Sequence, residues 1–152
     1  MIRRMEEKDI DDVLELLKEV NLVHHLGRPD LFKKATKYSK DNLLKMINDD
    51  NNPIFVYEDN NHVVGHAFLE TIIKGNRLVN NIKTLYIDDI CVKKEERNKG
   101  IASGLFDYIK KYAKDNGYYN IELNVWSFND NAYKFYEKMG LKPQKVTMEK
   151  IL

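Results

Sequence analysis

From Leu85 to Ala102 the chain reads Leu-Tyr-Ile-Asp-Asp-Ile-Cys-Val-Lys-Lys-Glu-Glu-Arg-Asn-Lys-Gly-Ile-Ala, an apolar strand running into an Arg97-x-x-Gly100-x-Ala102 turn that opens an amphipathic helix. The first turn of a helix carries backbone N–H groups with no intrahelical partner, and the aligned peptide dipoles add partial positive charge there. An anion fits that end, and a diphosphate suits a turn of this kind. Gly100 lets the main chain approach a ligand with no Cβ between them, and Ala102 keeps the next position small. Lys93, Lys94, Arg97 and Lys99 add positive charge around the turn. On the turn alone, a strand, a solvated charged loop and an ordinary helix start is an equally good reading. His24 and His25 are adjacent and would diverge on a helix or strand, with no further His or Cys at ligand spacing, so no metal site is predicted. Cys91 has no His at an orienting position and reads as a packing residue rather than a nucleophile.

A second block lies downstream, Asn129-Asp-Asn-Ala-Tyr-Lys-Phe-Tyr-Glu-Lys-Met-Gly-Leu141. Together the two blocks resemble the GNAT superfamily of acetyl-CoA-dependent N-acetyltransferases. That family carries an Arg/Gln-x-x-Gly-x-Gly/Ala pyrophosphate loop and an Asn-x-x-Ala-x-x-Phe-Tyr-x-x-x-Gly-Phe helix. The chain matches both, with Leu141 where Phe is commoner, and the spacing fits one such domain over residues 1–152. The resemblance implies an α/β (α+β) fold, in which helices flank a mixed, mostly antiparallel sheet and two parallel strands splay apart to admit acetyl-CoA. It implies that Arg97, Asn98, Lys99, Gly100, Ile101 and Ala102 hold the diphosphate. The main chain of Ile90, Cys91 and Val92 would then pair with the pantetheine arm and supply an oxyanion donor. Asn129 would bind the same arm, although Asn there is also a good helix cap. Tyr136 falls at the family's general-acid position. The segment from His24 to Phe32 would overlie the splayed strands, so that His25, Arg28 and, from beyond the fifth strand, Trp126 line an acceptor pocket. A purely structural loop, and a core role for Trp126, are the alternatives.

Forming an amide from a thioester requires a neutral amine, and an unperturbed Lys-like amine, with pKa about 10.4, is almost fully protonated at neutral pH. A carboxylate on the central strands can remove that proton directly or through a water, and Glu70, Asp88, Asp89 and Glu122 are the candidates. Strand alternation predicts that Asp88 and Asp89 face opposite ways. Asp89 is the first choice and Glu70 the second, against the reading that all four are merely exposed or paired. The Tyr136 phenol, protonated at neutral pH, can donate to a departing thiolate. An aromatic helix face packed on the sheet accounts for Tyr133 and Phe135.

The elements that must position these groups follow from hydrophobic period. Ile2 to Met5 suits a first strand, and Ile10, Val13, Leu14, Leu17 and Val20 recur as on one helix face. Val23 to Phe32, interrupted by Gly27 and Pro29, reads as an ordered loop. Ser39 can cap a helix carrying Leu43, Leu44 and Ile47. Ile54–Tyr57 and Val63–Ile73 flank a turn as a hairpin would, and a strand over about Ile82 to Val92 completes a meander. A helix then buries Ile101, Leu105, Phe106, Ile109 and Ala113 and stops at Asn116-Gly117. Ile121–Val125 is strand-like, Asn129–Met139 helical, and Val146–Leu152 is predicted to return as an edge strand.

With 152 residues, 43% of them hydrophobic, the chain suits one domain with its own core. A net charge of +1 gives no field favouring nucleic acid or anionic membrane, so a small-molecule or peptide amine is the expected partner. The single cysteine excludes an internal disulfide and predicts a reducing, cytoplasmic setting. No apolar run suits a transmembrane helix or a signal peptide. Family members often dimerise, so a homodimer is expected. Two other functions compete: a non-catalytic acyl-CoA-binding module, and a nucleotide-binding domain using the same glycine turn. The latter lacks Gly-x-x-x-x-Gly-Lys-Ser/Thr and has too many strands before the turn.

Overall fold

A computed structural model describes all residues, 1–152. Its five strands run in sheet order β1 (Ile2–Arg4), β2 (Ile54–Asp59), β3 (His62–Lys74), β4 (Ile82–Val92) and β5 (Asn120–Leu123). The first four pair antiparallel, and β5 pairs parallel with β4 after a helical crossover. Asn60 and Asn61 both adopt positive φ, 49° and 64°, the backbone a tight hairpin between β2 and β3 requires. Helices α1 (Ile10–Gly27) and α2 (Lys40–Met46) lie on one face; α3 (Ile101–Asp115) lies on the other, and α4 (Asp130–Lys138) follows β5. The meander, the helix after the glycine turn and the Ser39 cap are as the sequence predicts.

Three expectations are corrected. The helical period does not stop at Val20: α1 runs to Gly27, so His24 and His25 are helical rather than in a loop. The strand after α3 spans Asn120–Leu123, not Ile121–Val125; it starts one residue earlier, next to the Tyr119 N–H bond to Lys83 O, and ends two residues earlier. Residues 141–152 form no regular element and pair with no strand; Gln144 and Glu149 tie them by side chains to Glu122 and Arg28.

Each sheet face buries its own cluster. Towards α1 lie Ile54, Val56, Phe68 and Cys91 with Val13, Leu16 and Leu17; towards α3 lie Phe55, Ala67, Leu69, Leu85 and Ile87 with Phe106 and Ile109. Leu85, Ile87 and Cys91 are all odd-numbered positions of β4, yet they reach opposite faces. The ladder explains it: Phe68 opposes Asp89 and Leu69 opposes Ile87, so Asp88 is one residue too many. This is a β-bulge, which inverts alternation beyond it and bends the strand. Asp88 and Asp89 therefore share the α1 face, against the expectation of opposite faces.

Beyond its ladder with β2, the first strand is tied down by one guanidinium. Arg3 donates to both carboxylate oxygens of Asp9, at 2.7 and 2.9 Å, and through Nε to Glu58 at 3.1 Å. Asp9 also accepts from the Glu6 N–H at 2.8 Å and is 4% exposed. Burial alone would raise the Asp9 pKa, but Arg3 and the Glu6 N–H more than offset it, so it lies below its ordinary value. A depressed carboxylate stabilises the fold above its unfolded pKa and loses that contribution as pH falls through the folded one. Asp9→Asn should cost about 3 kcal/mol at pH 7, since Arg3 loses its closest partner and keeps Glu58. The gap to the wild type should narrow below about pH 4 in urea unfolding followed from pH 7 to 3.

Candidate active site

β5 pairs with β4 only as far as Ile87 opposite Leu123, whereas β4 continues to Val92. Pairing ends at the residue before the bulge, so the bend at Asp88 carries the rest of β4 away from β5. Lys93 N–H donates to Val64 O at 2.8 Å on the β3 side. By ladder alternation, Cys91 also turns its amide to β3, while Ile90 and Val92 turn theirs to the open edge. Of the three residues expected to offer main chain to a ligand, Ile90 and Val92 are free to do so and Cys91 is not. The Cys91 thiol is buried near Leu16 O at 3.7 Å, and burial pushes its pKa up, which keeps it an unreactive packing group.

The glycine turn sits where β4 ends. Asn98 and Gly100 hold positive φ, 64° and 79°, and α3 starts with Gly100 as its N-cap and no side chain capping it. Two other helix starts are capped by side chains: Ser39 caps α2 and Asn129 caps α4, accepting from Ala132 N–H at 3.3 Å. A Cβ at Gly100 would meet nothing within 4 Å, so the bare N–H groups of α3 face open space. The Ile101 side chain is buried with Val64, Val92 and Leu105, which leaves only its amide for a ligand, and Ala102 packs beside it. Arg97 anchors the turn, donating from Nε to Val92 O at 3.2 Å and approaching Glu19 at 3.8 Å; Lys99 pairs with Glu96 at 2.7 Å.

The four carboxylates have different surroundings. Glu122 is tied to Lys74 and Gln144, and Lys74 holds its pKa low. Glu70 is exposed on β3, opposite Tyr86. Asp88 accepts from Lys37 Nζ at 2.6 Å and Tyr38 OH at 2.7 Å. Asp89 lies 2.5 Å from Nε2 of His66, which is 0% exposed and sits edge-on to Phe68. His66 Nδ1 is buried without a partner. A bare lone pair there is cheaper than an unpaired N–H, so the network assigns the proton to Nε2, donating to Asp89. Across the gap, burial raises the Tyr136 phenol pKa, and the Asp89 charge and then Cys91 raise it further, so the hydroxyl keeps its proton.

The acceptor-side expectations divide. His25 Nδ1 lies 2.6 Å from Phe32 O and anchors the backbone, and Arg28 is spent on Asp30 and Glu149 at the surface. Trp126 stacks on Phe128, with centroids 5.9 Å apart, and meets Phe32 edge-on at 5.5 Å. The His that faces the carboxylates is His24, tilted against Phe32 at 5.1 Å. Burial lowers its pKa, Asp89 pulls it up and Lys37 pushes it down. His66, Lys37 and Tyr38 were not among the expected site residues, and His24 was expected only as the first residue of the segment lining the acceptor pocket. A lone His inside Val63-Val-Gly-His-Ala-Phe-Leu69 was the available signal for His66, and the α1 period carried on from Leu17 and Val20 would have selected His24.

Residues 20–141 match the acetyltransferase (GNAT) family. The chain belongs to that family. It is 27% identical over 145 residues to an uncharacterized N-acetyltransferase of Methanocaldococcus jannaschii, covering 95% of this chain and 62% of that relative's length. A crystal structure of a mutant of protein BH1408 from Bacillus halodurans superposes with a TM-score of 0.96 at 28% identity, covering 100% of this chain and 99% of that one. An aminoglycoside N-acetyltransferase in complex with CoA shares the fold, with a TM-score of 0.74 at 13% identity over 100% of this chain and 98% of its own. The GNAT family draws its acetyl group from acetyl-CoA. The uncapped α3 start, the open space at Gly100 and the free edge at Ile90 and Val92 fit such a molecule.

The two opposed charges at His24 give a check on this geometry. Its imidazole should titrate below about 6.5 in an NMR pH series. Asp89→Asn should lower the midpoint further, and Lys37→Met should raise it.

Proposed function

We propose that this GNAT domain, read as residues 1–152, transfers an acetyl group from acetyl-CoA to a primary amine by direct attack in a ternary complex. One observation carries the reading: where β4 leaves β5, a carboxylate backed by a buried imidazole lies close enough for its charge to help a buried phenol keep its proton. Bound acetyl-CoA supplies an activated acyl group and a thiolate leaving group. Asp89 takes the proton that an arriving ammonium must lose, and His66 Nε2–H keeps the carboxylate oriented. Tyr136 Oη holds a proton ready for the sulfur. The main chain at Ile90 and Val92 offers donors without reorganisation, the arrangement that stabilises developing negative charge best. Cys91 has no part in the transfer, because a buried thiol with a raised pKa is a poor nucleophile.

Glu70 is set aside as the second candidate base, since it is exposed and lies on β3 rather than on the strand that opens. Asn129 Nδ2 and the α3 N-terminus are assigned to the cofactor arm and diphosphate. A reducing cytoplasm is the setting we propose, on the single buried thiol. A homodimer is proposed from the C-terminal segment, which leaves Val146 and Met148 exposed.

Tyr136→Phe should lower kcat about 10²- to 10³-fold, and Asp89→Asn by a similar factor, with acetyl-CoA affinity retained in both. The raised Tyr136 pKa means that its proton is not lost in the alkaline range, so the wild-type rate should climb from pH 6 to 9 as more of the amine is neutral, with no fall due to the phenol. CoA release from pooled amines, followed beside acetyl-CoA calorimetry, checks these outcomes. Binding without turnover on every pool would replace transfer by a non-catalytic acyl-CoA-binding role.

A further inference from the structure

The cleft beside Asp89 already contains a primary amine, and it belongs to the protein. Lys37 Nζ donates to Asp88 Oδ1 at 2.6 Å, and Tyr38 OH donates to Oδ2 at 2.7 Å. The two sides of the ion pair are held very differently. Asp88 is fixed by the bulge and by Tyr38, whose ring lies flat on Phe68 with centroids 5.3 Å apart and planes 5° apart; its side chain is 18% exposed. Lys37 comes from the segment between α1 and α2, its side chain is 49% exposed, and Asp88 is its only ion-pair or hydrogen-bond partner. A half-exposed ammonium on a flexible stem is held weakly and can leave at little cost, whereas a half-buried carboxylate held in place by a phenol stays ready for another cation.

We propose that Asp88 and Tyr38 form the ammonium subsite of the acceptor, and that Lys37 fills it in the free protein as an internal competitor. The inference rests on the acetyl-transfer reading. It names the acceptor class: a primary amine at the end of an unbranched aliphatic arm, the chemistry Lys37 itself presents. Such an arm passes where the Lys37 methylenes now lie, beside the ring of Tyr38, over which Nζ stands at 5.6 Å. The bulge then gives its two carboxylates separate tasks. Asp88 holds an incoming ammonium, and Asp89, next in the chain on the same face, receives its proton. Phe32 and Trp126, edge-on to each other, wall the approach with apolar surface that suits methylenes better than a hydroxylated ring.

The test compares KM and kcat of the wild type, Lys37→Met, Asp88→Asn and the double variant, using linear diamines of increasing length and glucosamine as a branched contrast. Lys37→Met should lower KM for the linear amines 3- to 10-fold while glucosamine is unaffected. Asp88→Asn should raise KM at least 10-fold, and in its background the Lys37 substitution should have no further effect. Calorimetry with acetyl-CoA and thermal melting show that each variant is folded. Turnover with KM unmoved by Lys37→Met, or moved equally for glucosamine, overturns the Lys37 inference and leaves the transfer reading standing. Acetyl-CoA binding without turnover on any amine, in the wild type and in Lys37→Met, overturns both.

Discussion

One extra residue in β4 sets the shape of everything around the cleft. A regular strand would keep β5 alongside to its end and would send Asp88 and Asp89 to opposite faces. Because Asp88 is unmatched in the ladder, the strand bends, pairing with β5 ends at Ile87, and the free edge of Ile90 and Val92 opens. The same residue turns both carboxylates towards α1. The gap for a ligand and the acidic floor beside it thus have a single geometric cause, and the glycine turn follows only because β4 ends there.

The polar groups on that floor are affordable because nearly all are matched. Asp89 has the His66 N–H, and Asp88 has a phenol and an ammonium. An unmatched carboxylate this close to Phe68 and Cys91 would be driven to its neutral form. Tyr136 needs no such partner to stay protonated, since burial and nearby negative charge both act against ionisation. The arrangement separates an ionised acid from a neutral one within a small space.

Much of this was legible from residue order. Period two located β2 to β4, Gly100 and Gly140 marked a helix start and a helix stop, and the paired blocks identified the family. The bulge was not legible, because alternation is a local rule and Leu-Tyr-Ile-Asp-Asp-Ile-Cys contains no glycine or proline to announce an interruption. The role of His25 was misassigned for a related reason: ending α1 at Val20 lost the phase that distinguishes two adjacent histidines. Arg28 looked available, although Asp30 two residues on and Glu149 far along the chain both take its guanidinium. The strand expected at Val146–Leu152 had suitable residues, but no edge accepts it; strand formation depends on a partner as well as on composition.

At the far end of α1, the Phe128 ring lies directly on Gly27, leaving no room for a Cβ. Phe128 belongs to the turn leading into α4, two residues from its first helical position. The helix that carries His24 therefore bears on the turn that leads into the helix carrying Tyr136. Any side chain at position 27 would act as a wedge, and the part displaced would be the mount of the phenol rather than the core. A substitution at Gly27, a half-buried helix terminus, would therefore be felt first in the turn that mounts α4.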